Sequence, residues 1–151
     1  MRKTISKIML GIITAVMMAA SQAAEFSKFE YESRGAPWTG VYNLIIDFDK
    51  GILIIKEAPN MGSFLSNPKT EKISLKPEQI AEMQKMLNSA GVIGWKDKYE
   101  NRWGVCDGTF WDASYVLKDR TSREIHGDNN WPDGIKTLSA ALKKMGISFI
   151  Q

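Results

Sequence analysis

Val41-Tyr42-Asn43-Leu44-Ile45-Ile46-Asp47-Phe48, then Asp49-Lys50-Gly51, then Ile52-Leu53-Ile54-Ile55, is the stretch whose reading decides the fold. Its first part is rich in β-branched and aromatic residues, and alternation puts Tyr42, Leu44, Ile46 and Phe48 on one face. Asp49-Lys50-Gly51 supplies a short turn in which Gly51 can take a positive φ. Four apolar residues then return as a second strand. A hairpin with one apolar face has to bury that face, so the chain is expected to build an antiparallel sheet with a core on one side.

Working outward, Phe26 to Ser33 reads as a preceding strand, with Phe29 and Tyr31 two apart, and Arg34-Gly35-Ala36-Pro37 as a loop. Ala58 to Thr70 contains Pro59, Gly62 and Pro68 and is expected to be a surface loop. Pro77 opens a helix at its first position, where a missing N–H costs nothing. Ile80, Met83, Leu87 and Ala90 follow helical spacing to a stop at Gly91. Trp111, Ala113, Tyr115 and Leu117 alternate with Asp112, Ser114 and Val116 as a half-buried strand. Asp119 to Ser122 turns the chain, and Arg123 to His126 returns it. Gly127 to Gly134 is then a loop, and Ile135, Leu138, Leu142 and Met145 define a closing helix ended by Gly146. Asn130 or Asp133 is the candidate cap for that helix. Ile147 to Ile150 is expected as a short edge strand. The expected fold is α+β, an antiparallel sheet with two helices packed on one face, in the order β-β-β-α-β-β-α.

Residues 1–23 carry the pattern of a cleavable export signal. Arg2, Lys3 and Lys7 precede an apolar run from Ile8 to Met18, and small residues follow from Ala19 to Ala24. The run falls short of the ~20 residues a permanent span needs. Cleavage after Ala23 leaves residues 24–151 as a single domain of ordinary size, periplasmic or secreted and not embedded in the membrane. No cysteine stands at the cleavage site, which excludes a lipoprotein. Cys106 is the lone cysteine, so stability must come from packing, for which the chain has five Trp, six Phe and four Tyr. Three of its 20 Lys and Arg lie in the leader, which leaves the body with 17 basic against 17 acidic residues. Such balance gives no support for nucleic-acid binding, which needs a clustered positive surface.

The distinctive segments lie between residues 95 and 132. They are Trp95 with Tyr99 four residues on, then Asp107-Gly108-Thr109-Phe110-Trp111, and Gly127-Asp128-Asn129-Asn130-Trp131-Pro132. On these W-x3-Y, D-G-T-x-W and G-x-N-x-x-P segments, the last third of the chain resembles small exported bacterial domains of uncharacterised function. The resemblance implies a shared fold and no activity. Physically, Asp107 and Gly108 can turn the chain into a strand, while Gly127 and Asn129 tolerate left-handed backbone. Trp111 is expected in the core.

Trp38, Trp103 and Trp131 stand beside Gly, Pro and Asn, where an aromatic is harder to explain as core. With Asp107 and Asn129 they are the candidate binding residues, because an exposed Trp offers a large rigid contact area and one donor. A catalytic reading would use Cys106 with His126, oriented by Asp107 or Asp128, or the carboxylate pairs Asp47/Asp49 and Asp107/Asp112. Neither set carries a motif, so no catalytic residue is assigned. Asp128-x-Asn130 begins like a calcium loop, but Pro132 takes the next ligand position. No metal or cofactor is expected. The expected function is an exported cell-envelope binding module of inhibitor or immunity type that recognises a protein or glycan partner. Its competitors are a small envelope hydrolase acting on glycan or peptide, and a structural assembly subunit.

Overall fold

The computed structural model describes residues 22–35, 40–101 and 108–149. Most of the leader, Trp38, Trp103, Cys106 and Asp107 lie outside them. The strands are β1 (Phe26–Arg34), β2 (Val41–Asp47), β3 (Ile52–Ala58), β4 (Lys69–Ser74), β5 (Lys98–Tyr99), β6 (Phe110–Leu117) and β7 (Ser122–Asp128). The helices are α1 (Met61–Ser66), α2 (Pro77–Ser89) and α3 (Gly134–Lys144), with a 3-10 turn at Val92–Gly94. The strands form one sheet in the order β4-β3-β2-β1-β6-β7-β5. Every pairing is antiparallel except the two-residue match of β5 with β7.

The expected hairpin is present as β2 and β3, with Tyr42↔Glu57 and Leu44↔Ile55 in register. Asp47 Oδ1 accepts from Lys50 N at 2.9 Å and holds the turn. In β1 the buried residues Phe29, Tyr31 and Ser33 alternate with Glu30, Glu32 and Arg34. A bulge between Phe26 and Lys28 lets Phe26 also point inward, three residues from Phe29. The inward face supplies Leu44, Ile46, Leu53, Trp111, Tyr115 and Ile125 to one core. Met83, Met86 and Leu87 of α2 and Ile135, Leu138 and Leu142 of α3 join them in it. Each such side chain, fully buried, is worth roughly 1.5–3 kcal/mol.

Several expectations need correction. Residues 58–70 are not a bare loop, because Asn60 Oδ1 accepts from Ser63 N at 2.8 Å and starts α1, and β4 follows at once. The fold therefore has three helices, and α1 buries none of its side chains. β5 makes the sheet mixed. Residues 147–149 add no strand. Neither candidate caps α3. Asp133 occupies the position without a side-chain bond, and Asn130 Nδ2 donates to Glu100 O at 3.2 Å instead. No helix among the described residues is long and apolar enough to cross a membrane.

Trp111 organises the centre of the core. It is 1 % exposed, its ring stacks on Tyr31 at 6.0 Å, and it meets Trp95 edge-on at 6.3 Å. Its indole covers Gly127, where an added Cβ would lie 2.0 Å from ring atoms. Gly127→Ala should therefore cost about 1–3 kcal/mol through overpacking, read as a lower urea midpoint followed by tryptophan fluorescence.

Candidate functional site

Because side chains alternate along a strand, placing Tyr31, Ser33, Trp111 and Gly127 on the inner face sends Glu32, Arg34, Asp112 and His126 to the other. There they meet. His126 Nδ1 lies 2.5 Å from Asp112 Oδ1, and Arg34 Nη2 donates to Asp112 Oδ2. Arg34 Nε forms an ion pair with Glu32 Oε1 at 3.5 Å without hydrogen-bond geometry. A carboxylate can only accept, so Asp112 orients the imidazole with a proton on Nδ1. The imidazole is 55 % exposed.

Shallow depressions flank this pair. One, of about 270 Å³, has Glu30, Glu32, Ser114 and Glu124 around Asp112 and His126. The other, of about 290 Å³, adds Arg34, Lys98, Tyr99 and Phe110. Phe110 is a large apolar side chain left 50 % exposed. For Glu30, burial alone would raise the carboxyl, but Lys28 at 2.9 Å and Asn43 at 3.1 Å hold it below its ordinary value. For Glu32, burial raises it, Arg34 pulls it down, and the charges of Asp112 and Glu30 push it up again; the net direction is up.

A deeper cleft, of about 480 Å³, opens at the sheet end where β1 stops and β2 begins. Ser33, Val41, Tyr42, Ala58, Pro59 and Thr109 are among its lining residues. Behind this end lies Tyr31, fully buried, its phenol pushed up to about 12 by burial, with Trp131 and Ser33 pulling the other way. Tyr31 Oη and Trp131 Nε1 are both shielded from solvent.

Of the candidate binding residues, the structure describes Trp131 and Asn129. Trp131 is half-buried and packs against the core. Asn129 takes φ +45°, as its type allows, and staples two connections together. Its Oδ1 accepts from Thr109 N at 2.7 Å, its N donates to Thr109 O at 3.0 Å, and its Nδ2 donates to Asp128 Oδ1 at 2.9 Å. Gly108 is needed beside it because a Cβ there would sit 1.5 Å from the carboxamide. Trp38, Trp103 and Asp107 lie outside the described residues, yet the chain enters and leaves their segments at this same end. Arg34 pairs with both Val41 and Phe110, and Phe110 pairs with Asp128.

His126 is oriented by Asp112 rather than by Asp128, whose Oδ1 accepts from Asn129. Of the other expected carboxylate pair, Asp47 holds its own turn and Asp49 accepts from Lys118 Nζ. Sequence reasoning missed Arg34, Glu32 and Phe110 as site residues. The signal that could have found the first two is the polar series Glu30, Glu32, Arg34 set between inward aromatics of one strand. Among the described residues, no three His, Cys, Asp or Glu side chains gather as a metal would require. No family model matches this chain, and no curated protein matches it.

A carboxyl whose folded value is raised binds its proton more tightly folded than unfolded. Glu32 therefore favours folding below its unfolded value, near 4.3, and that contribution is lost as pH rises through the raised folded value. Glu32→Gln, which mimics the protonated form, should stabilise at pH 7 by less than about 1 kcal/mol. The gain should vanish below about pH 4, and urea midpoints of both proteins at pH 7 and at about pH 3.5 check it.

Proposed function

We propose that the chain is an exported cell-envelope module that recognises a protein partner through one end of its sheet. The observation that carries this reading is convergence: the connections bearing Trp38 and Trp103 start and finish, and the one bearing Trp131 starts, where β1, β5 and β7 end and β2 and β6 begin. Trp131 and Asn129 brace that end from within, and Phe110 is left half-exposed beside Arg34, Asp112 and His126. An aromatic rimmed by a few charged groups is what a binding hot spot requires. The leader pattern of residues 1–23 supports an envelope location. The two depressions beside Asp112 and His126, of about 270 and 290 Å³, are shallow and open, which favours docking of a surface over enclosure of a reacting small molecule. An inhibitor or immunity-type role is the form of protein recognition that such a surface fits.

A photo-crosslinking amino acid in place of Phe110 should capture one envelope protein, and the same residue in place of the exposed Leu65 should not. The captured protein, once purified, should bind the unmodified chain and lose about tenfold or more in affinity for Phe110→Ala. Equal affinity for both forms would remove this end of the sheet as the recognition surface.

A further inference from the structure

Ahead of β1, the backbone of residues 24–26 is held by side chains of α2. Asn88 Oδ1 accepts from Ala24 N at 2.9 Å, and Asn88 Nδ2 donates to Ala24 O at 2.8 Å. Gln84 repeats the pattern one helical turn earlier, accepting from Phe26 N at 2.9 Å and donating to Phe26 O at 2.7 Å. A carboxamide presents a donor and an acceptor side by side, as a peptide group does. Four residues of helix rise about 6 Å, and two residues of extended chain about 6.6 Å. Gln84 and Asn88 therefore read alternate peptide groups as a neighbouring strand would. Between them Glu25 O turns the other way and accepts from Lys118 N at 2.9 Å. These contacts read backbone alone and set Ala24 at a fixed place.

That place is the last turn of α2. The exposed carbonyls of a helix C-terminus carry partial negative charge and favour a cation nearby, and α2 has no basic residue in its last turn. By contrast, α3 ends on Lys143 and Lys144. We infer that the missing cation of α2 is the α-ammonium created when the chain is cut between Ala23 and Ala24, bound by Asn88 Oδ1 at the helix end. The inference rests on the export reading. Hydrolysis of that peptide bond adds one water, leaves a carboxylate on Ala23 and turns the Ala24 amide nitrogen into an ammonium. A neutral donor to Asn88 becomes a charged one, and charge-assisted bonds are about twice as strong. The trough beside the clamp, lined by Ala81 and Ser89 and, before the cut, by Gln22 and Ala23, leaves the new terminus in contact with solvent. Lys85 and Glu25, of opposite charge, also line it. Removal of the leader thus tightens the fold at the point of the cut.

The test uses protein made from the full-length gene and recovered from the envelope, its first residue determined by mass. Acetylation near neutral pH, where the α-amino group is far less basic than lysine, removes the charge but keeps the N–H donor. The acetylated form should melt lower by on the order of 2 °C. The difference should narrow in about 1 M salt and close in Asn88→Ala. Equal melting of the free and acetylated forms, with Ala24 as the first residue, would overturn the charge-capping inference and leave export standing. Recovery of the chain with its leader attached, or cut elsewhere, would overturn the export reading and this inference with it.

Discussion

Trp111 enters the core only where its neighbour has no side chain, and Gly127 is that neighbour. The indole also donates to Asn130 O at 2.8 Å and lies 5.8 Å from the Tyr99 ring, so one residue binds β6, β7, β5 and the connection after β7. Its position sets the β6–β7 register. Sliding by one residue would turn Trp111 to solvent and every polar partner inward, a cost no surface contact could offset. The polar pair on the other face is a consequence: with Trp111 opposite Gly127, Asp112 has to stand opposite His126.

The same logic runs across the sheet through β1. Ser33 faces Trp111 inside, so Glu32 faces Asp112 outside, and two carboxylates are brought side by side. Like charges directly opposite one another destabilise a strand pair. Arg34 answers this by reaching both acids, and His126 takes the remaining oxygen of Asp112. The carboxyl of Glu32 is raised mainly by burial, and the charge of Asp112 adds to the rise. The cluster is thus dictated by the register of the core, and it stands beside an exposed Phe110.

What the sequence made legible follows from locality. The β2–β3 hairpin, α2 from Pro77 and the Trp111 strand each carry a complete period of apolar residues within a few positions, and each is found in place. β4 could not be read that way. Lys69 to Ser74 lies at the edge with only Ile73 turned to the core, and its order comes from pairing with β3, which no local pattern announces. β5 is two residues long and is defined wholly by a parallel match to β7. In the site, Asn129's left-handed backbone was readable from its residue type. The partner of His126 was not: Asp112 is 14 positions away, and only a register known to the residue brings the two together.

The clamp and the recognition end we propose stand at opposite ends of one strand. The clamp holds the chain where β1 begins, and the tryptophan-bearing connections gather where β1 finishes. Nine residues of strand separate them by roughly 30 Å, in the middle of a sheet paired on both sides. A strand so placed transmits little movement, because from Lys28 to Arg34 it is paired with β2 on one side and β6 on the other. The cut we infer ahead of β1 would therefore change stability at one end without reshaping the other.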